Sequence, residues 1–599
     1  MEHEDRQLTP KEQTAILKRL LGYALPHKKL LSVAFLFLML GTAAELIGPL
    51  LIQTFIDDFL TPRNFPVDAL TALATAYIVL HVSSVFFNYF QGYWFHKIAL
   101  EIVRRMRIQV FSHVEHLGLS FFDRTATGGI ISRLTNDTER VKELYVNVLS
   151  LLVQDLVFLV GIFIAMFYLN PQLAFFCLFL LPLVYALMYV YRKFSAKYYG
   201  TMSGKLSELN ARLNESIQGM SIIQIFRQER RMRKEFSELN QEHHSAWMKG
   251  MKLDGLLLRP AVDFLSILAL MLVLAFFGLL SFTSPVEIGV LYAFVNYLDR
   301  FFEPVNQIMS RLSIFQQAIV SAGRVFKLLD HEEPAPSKSL AGNPTIERGQ
   351  VEFDGVTFSY DGETNVLTDI SFSVSPGETL ALVGHTGSGK SSIINLLMRF
   401  YEPDKGEIRI DGEPLGKFDD EELRTRLGLV LQDPFMFSGD VKSNIRMYND
   451  KITDEEVYQA AQFVDANRFI KNLPGGYDHP VGERGGTFSS GERQLIAFAR
   501  TMVMQPDILV LDEATANVDT ETEEVIQRAL EQMKEGRTTV AIAHRLSTIK
   551  NANRILVLHQ GKIVEDGTHD NLLANGGLYY NMYLLQQGMN QQMISSSSS

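Results

Sequence analysis

Gly384-His385-Thr386-Gly387-Ser388-Gly389-Lys390-Ser391 decides how this chain reads, together with the apolar run Thr379-Leu380-Ala381-Leu382-Val383 before it and Ser392-Ile393-Ile394-Asn395-Leu396-Leu397 after it. The apolar run predicts a buried strand and the stretch from Ser391 onward a helix, the context a phosphate-binding loop requires. Glycine lets backbone N–H groups of Gly387 and its neighbours wrap phosphate oxygens, and a helix N-terminus favours the negative charge. Lys390 is expected to reach the outer phosphates of a nucleoside triphosphate, Ser391 to ligate magnesium, and Ser392 to complete the phosphate-facing set. The pattern would arise by chance in a chain of 599 residues only roughly 2% of the time, so it is a specific signal.

Further along, Asp507-Ile508-Leu509-Val510-Leu511-Asp512-Glu513 reads as a buried strand ending in two carboxylates. Beside a metal-bound triphosphate, Asp512 would orient magnesium and its water, and Glu513 would polarise the attacking water as general base. An Asp-Glu pair after an apolar strand is ordinarily a solvated turn. Its place downstream of the phosphate loop gives it this chemistry.

The first half of the chain is of a different kind. Residues 69–96, 156–191 and 264–286 contain no Asp, Glu, Lys or Arg, and a spanning helix needs about 20 apolar residues. The second run is long enough for two helices, broken at Asn170-Pro171. A first span runs from Leu30 to about Ile56, interrupted by Glu45 and Pro49, and a last begins after Ser284-Pro285 and loses its apolar character near Asp299. Six spans are expected. Lys18, Arg19, Lys28 and Lys29 precede the first, and Arg104, Arg105, Arg107, Arg124, Arg133 and Arg140 lie between the second and third, so both sides are expected to be cytoplasmic. The expected outer turns carry only Arg63. No apolar segment with a cleavage pattern precedes Leu30, so a removed signal peptide is not expected.

The inner connections have helical composition, with no proline between Pro66 and Pro171 or between Pro182 and Pro260. They predict long helices that leave the membrane and turn near Ser120 to Gly129 and near Gln218 to Ile225. Two separate soluble hairpins are the alternative. After Asp330 the composition shifts to an exposed linker, Glu332-Glu333-Pro334-Ala335-Pro336 and Ala341-Gly342-Asn343-Pro344. The expected architecture is multidomain: a flexible N-terminus (1–15), an all-α six-helix transmembrane domain (16–325), a linker (326–349), a cytoplasmic α/β phosphate-loop domain (350–588) and a flexible tail (589–599). A net charge of −11 is no footprint for nucleic acid. The single cysteine, Cys177, sits in an apolar run and is read as a membrane-buried hydrophobe, which leaves no disulfide or cysteine metal site.

With these motifs in place the chain resembles the ATP-binding cassette family, specifically exporter half-transporters with six spans fused to one nucleotide-binding domain, over about residues 15–588. The resemblance implies further site residues. Tyr360, in Phe358-Ser359-Tyr360, matches the aromatic that stacks on adenine, and Gln432 the glutamine that senses magnesium and water. His544 matches the switch histidine at the γ-phosphate, and Asp519 the aspartate between the two sites of a dimer. Phe121 to Gly128 with Ser132 to Asp137 resembles the first coupling segment, Glu215 to Phe226 the second, and Pro480 to Gly485 the short loop that senses them in exporters. ATP and Mg2+ are the implied cofactors.

One departure stands out. Where the family signature reads Leu-Ser-Gly-Gly-Gln, this chain has Phe488-Ser489-Ser490-Gly491-Glu492. Ser489 and Gly491 are kept. Ser490 adds a Cβ, and Glu492 places a negative charge near the phosphates of a nucleotide held by the opposite subunit. A homodimer would carry this signature in both sites, so the expected partner is a second, different half-transporter, giving one intact and one impaired ATPase site. The expected activity is ATP-driven export of small hydrophobic or amphipathic compounds from a bacterial cell membrane by alternating access. A homodimeric lipid or peptide exporter and an ATP-gated regulatory protein are the alternatives. Glu45, Asp155, Asp263, Asp299 and Glu303 lie in or near the spans and point to cationic cargo in a cavity lined by Phe294 and Tyr297, unless they serve helix pairing, as Arg259 and Asp263 could.

Overall fold

The computed structural model describes residues 9–257, 259–282, 287–512, 520–543 and 549–586. It divides into two compact units, one of residues 1–115 and 127–331, the other of 116–126 and 332–599.

The first unit is helical throughout. Lys28–Thr54 carries Pro49 inside it and passes into a π-helical turn, Phe55–Leu60. Val67–Glu115 follows, a helix of 49 residues. At 1.5 Å per residue it is about 74 Å long, more than twice the roughly 30 Å of a bilayer core, so it must continue well beyond the hydrocarbon. Thr127–Leu169 ends at Asn170, whose extended backbone breaks the helix before Pro171 opens the next. Leu180–Gln218 and Glu229–Leu257 pair side by side, pinned where Tyr191 and Tyr199 donate to the two oxygens of Asp254 at 3.0 and 2.9 Å. Between them lies the short helix Met220–Ile225, at the expected turn.

Among the described residues, five helical stretches are long and apolar enough to cross a membrane: Pro10–Leu60, Val67–Glu115, Thr127–Leu169, Pro171–Gln218 and Glu229–Leu280. The sixth expected span falls within Ile288–Leu329, a helix of 42 residues that does not meet that measure. Its polar residues explain why: Asn296, Asp299, Arg300 and Glu303 interrupt the apolar run within two turns. Helices approach closely where side chains are small. At Gly161 the tip of Leu46 on the first span occupies the space a Cβ would take, 2.3 Å away, so the third span receives that side chain there.

The second unit contains two sheets. An antiparallel sheet runs Asn365–Val374, Val351–Ser359, Lys405–Ile410, Glu413–Pro414. The other runs Lys562–Gly567, Arg554–His559, Thr379–Val383, Thr538–Ile542, Ile508–Asp512, Leu427–Val430. Within it the last five strands are parallel and only Lys562–Gly567 is antiparallel. The strands of Thr379, Thr538 and Ile508 are buried almost throughout, as continuous apolar runs require. In parallel sheets of this kind ligands bind beyond the carboxyl ends of the strands.

Residues 116–126 belong to this second unit. The short helix Leu119–Arg124 is stitched to the linker: Leu117 and Pro334 form an antiparallel bridge, Gly118 N–H donates to the Glu333 carbonyl at 2.9 Å, and Ala335 N–H to His116 at 3.0 Å. Arg124 and Ser120 both reach the Glu333 carboxylate, at 3.1 and 3.3 Å.

Candidate functional site

The loop Gly384 to Gly389 joins the central strand Thr379–Val383 to the helix Lys390–Leu397, as the residue pattern predicts. Gly387 and Gly389 take φ of +82° and +101°, conformations that L side chains rarely adopt. At Gly389 a Cβ would also stand 2.6 Å from Leu367 Cδ2. His385, Thr386 and Gly387 are exposed at the loop's crest, while Ser388, Lys390 and Ser392 are buried and Ser391 is exposed. Lys390 Nζ donates to the carbonyls of Gly384 and His385 at 2.7 and 3.0 Å. Burial pushes its pKa down, opposed by the charge of Asp512. That opposition places Asp512 within electrostatic reach of the lysine.

The loop fits a phosphate group. Ser388 Oγ is buried with no hydrogen-bond partner, the kind of orphaned donor an anion would satisfy. The cradle also depends on glycine at a position where a Cβ would collide with a neighbouring side chain.

Asp512 closes its strand two strands away from the phosphate loop, with Ile542 of the intervening strand registered against both Asp512 and Leu382. Gln432 is exposed just beyond Leu427–Val430, at the same edge. Glu513, Asp519 and His544 lie outside the described residues. The strands that lead to Glu513 and His544 end at that same edge, at Asp512 and Ile542.

Tyr360 is 38% exposed, and its hydroxyl lies 3.0 Å from Ser392 Oγ and 3.1 Å from Asn395 Nδ2, which fixes the ring beside the phosphate-loop helix. The sequence reading passed over Tyr401. It is 8% exposed, meets the Tyr360 ring edge-on at 5.0 Å, and donates its hydroxyl to the Asp123 carboxylate. The aromatic pair Phe400-Tyr401 directly after the phosphate-loop helix was the available signal.

The altered signature starts the helix Ser490–Met502. Ser489 Oγ accepts from Glu492 N–H at 3.2 Å, and Glu492 Oε2 accepts from Ser489 N–H at 2.8 Å, a reciprocal capping box. The Glu492 carboxylate is thus turned back onto its own helix end, where it takes up a backbone donor and offsets the positive end of the helix dipole. That is a more local role than the sequence alone gives it. Gly491 is buried and Ser489 exposed.

In the first unit the acidic residues mostly have partners. Glu45 accepts from Asn88 at 2.6 Å and Ser84 at 3.3 Å, Asp155 pairs with Arg311 at 2.8 Å, and Glu303 accepts from Gln307 at 2.9 Å. Asp263 also has a partner, and the side chain of Arg259 lies outside the described residues. Among the described residues, Phe294 and Tyr297 do not border the cavity on their helix. Both are fully buried in the helical core, where Tyr297 donates its hydroxyl to the Leu46 carbonyl. The other face of the same helix does the lining: Tyr292, Asn296 and Asp299 border a cavity of about 230 Å³ with Ser266 and Leu270. Helical periodicity separates the two sets, since residues 294 and 297 share one face and 292, 296 and 299 another.

A helical membrane unit and a phosphate-loop unit in one polypeptide define a membrane protein powered by nucleotide. The family model of the ABC transporter transmembrane region matches residues 31–305, and that of the ABC transporter matches residues 367–516. The exp8 protein of Streptococcus pneumoniae, by name an ABC transporter ATP-binding protein, is 46% identical over 96% of this chain and 98% of its own. YheH of Bacillus subtilis, named for multidrug resistance with ATP-binding and permease parts, is 46% identical over 87% of this chain and 78% of its own. A solved bacterial Atm1-family ABC exporter with ATP bound superposes with a TM-score of 0.77 at 29% identity, covering 93% of this chain and 98% of that one. The chain belongs to the ATP-binding cassette transporter family. It is a multi-pass membrane protein that binds ATP and couples its hydrolysis to export, and its half-transporter arrangement implies pairing with another ABC subunit.

Proposed function

We propose that this chain is the hydrolytically competent half of a heterodimeric exporter of hydrophobic or amphipathic compounds in a bacterial cell membrane. The observation that carries the reading is the convergence on one edge of four strand ends, those that lead into the phosphate loop and to Gln432 and those that end at Asp512 and Ile542. In this reading Tyr360 stacks on the base, and Gly384 to Ser392 hold the phosphates. Ser391, Gln432 and Asp512 hold Mg2+, which would neutralise phosphate charge. Lys390 binds the outer phosphates, Glu513 acts as general base, and His544 contacts the γ-phosphate. Asp519 and a partner's intact signature complete that site. Ser489 and Gly491 of this chain face the partner's nucleotide, where Ser490 and Glu492 weaken the second site.

One feature supports a second subunit and another the class of cargo. Ile222, Ile225 and Phe226 at the tip of the second inner connection are 61, 76 and 68% exposed, apolar surface of the kind a partner covers. The relatives named for multidrug resistance favour small apolar cargo. The domain limits 16–325 and 350–588 are kept as the working division between transport and ATPase parts.

The test uses inverted membrane vesicles holding this chain with its co-purified partner. Mg-ATP should drive accumulation of a fluorescent amphipathic dye, and Lys390→Ala should reduce it to background. Full coupled turnover by this chain reconstituted alone would refute the heterodimer. Dye accumulation that survives Lys390→Ala would refute the assignment of the motor.

A further inference from the structure

Three side chains form an unbroken route inside the second unit from the base side of the nucleotide site to the short helix Leu119–Arg124. Tyr360 is fixed at one end by Ser392 and Asn395, both on the phosphate-loop helix, at 3.0 and 3.1 Å. Tyr401 stands behind it, its ring perpendicular to Tyr360 at a centroid separation of 5.0 Å and inclined at 63° to Phe358 at 5.5 Å. Its hydroxyl reaches out of this aromatic cluster to the carboxylate of Asp123. Perpendicular aromatic packing is directional, so a displaced Tyr360 ring must be followed by Tyr401 or lose the edge contact.

The far end of the route is equally constrained. Asp123 lies on a helix of six residues whose flanks are bridged to Pro334 and Ala335 and whose Arg124 and Ser120 share Glu333. Burial, and after it the hydrogen bond to Asp123, raise the Tyr401 pKa, so the phenol stays protonated and keeps its donor at any working pH. A neutral donor facing a carboxylate is a stronger link than a neutral pair.

We propose that Tyr401 is a positioning residue through which nucleotide bound against Tyr360 restrains the segment 116–126. The inference rests on the reading of Tyr360 as the base-stacking residue. It adds the element that reads base occupancy and the atom, Tyr401 Oη, that passes it on. Coupling of this kind requires that nucleotide change the opening equilibrium of the segment, and a ligand indifferent to that equilibrium would transmit nothing.

Hydrogen–deuterium exchange on the full-length protein in its native dimer, in lipid nanodiscs, measures this directly. The probe is the non-hydrolysable analogue AMP-PNP with magnesium, so neither cargo nor turnover is needed. In the wild type, nucleotide should slow exchange of the peptide spanning 116–126 at least fivefold. Tyr401→Phe keeps the ring and removes only the hydroxyl. It should bind AMP-PNP with a Kd within twofold of wild type, while the ratio of exchange rates with and without nucleotide falls below 1.5. Asp123→Ala, which leaves no acceptor for the hydroxyl, should give the same loss, and the double variant no more than either alone. A ratio unchanged in Tyr401→Phe would overturn the proposal. So would faster exchange by an equal factor with and without nucleotide, which marks the bond as packing only. Tyr360→Leu separates the underlying reading: it should raise the Kd at least tenfold, and an unchanged Kd would remove the base-stacking role and this inference with it.

Discussion

Removing one member of the Asp155–Arg311 pair should destabilise the membrane unit far more than removing both. Arg311 Nη1 lies 2.8 Å from Asp155 Oδ2, and the side chains are only 15 and 16% exposed. The guanidinium is held from a second side by Gln307 Oε1 at 2.6 Å. Asp155→Leu leaves the guanidinium facing Gln307 without its carboxylate in a mostly buried site, and breaking a buried pair in this way costs about 3–5 kcal/mol. Replacing both residues by apolar side chains of similar volume, Asp155→Leu with Arg311→Met, removes the orphaned charge and is expected to fall within about 1 kcal/mol of wild type. With both singles at about 3 kcal/mol or more and the double within about 1, the coupling energy of the cycle is about 5 kcal/mol or more. At roughly 2 °C per kcal/mol for a unit of this size, the single variants should melt about 6–10 °C lower and the double variant within about 2 °C of wild type. The assay is thermal unfolding in nanodiscs followed by size-exclusion recovery of the folded dimer. A double variant whose loss equals the sum of the singles would refute the argument, since the two charges would then act independently. The same result would reopen Asp155 as a group free to meet cationic cargo.

Two further substitutions probe the second unit. Asp411 accepts from the N–H groups of Glu347, Arg348, Gly349 and Gln350 at 2.8–3.2 Å; burial pushes its carboxyl up, but the four bonds outweigh that and hold it below the usual carboxylate range. Because the folded pKa is depressed, the stabilisation is fully present above the unfolded value of about 3.9 and fades as pH falls through the folded one, so Asp411→Asn should cost about 1 kcal/mol at pH 7 and progressively less below pH 4, read from melting curves across pH. Glu492→Gln keeps a capping box but removes the charge; at an effective dielectric of about 20, a unit charge about 10 Å from a phosphate is worth about 1.7 kcal/mol, so nucleotide titration of the native dimer should show one site tightening roughly fifteenfold, and unchanged affinities at both sites would contradict the reading of the signature.

Much of the site was legible because its parts are local. The phosphate loop, the strand before it and the helix after it lie within about twenty consecutive residues, and glycine and lysine there have few other uses. The long spans were legible because a bilayer imposes a length. The last span was harder to read, because Asp299, Arg300 and Glu303 make Ile288–Leu329 polar on a face that only packing assigns. That ambiguity also misplaced Phe294 and Tyr297, whose aromatic rings suit a cavity wall as well as a core. Tyr401 could not be tied to Asp123 because 278 positions separate them, and no sequence pattern joins residues that far apart. The capping box was different. Ser489-Ser490-Gly491-Glu492 spells it openly, with serine at the N-cap and glutamate three residues on, so a hydrogen bond as well as a charge is written at Glu492.

The bond between Asp123 and Tyr401 also dictates an order of assembly. A ribosome adding roughly 5–20 residues each second needs about 14–56 s to travel the 278 positions from one to the other. For most of that interval the helix Leu119–Arg124 is already made and its mate Tyr401 does not yet exist. The membrane insertion machinery is at that time threading the remaining spans. The linker residues Glu333 to Ala335 emerge before Tyr401, so the backbone stitching of this segment can form first and the side-chain bond to Tyr401 closes last.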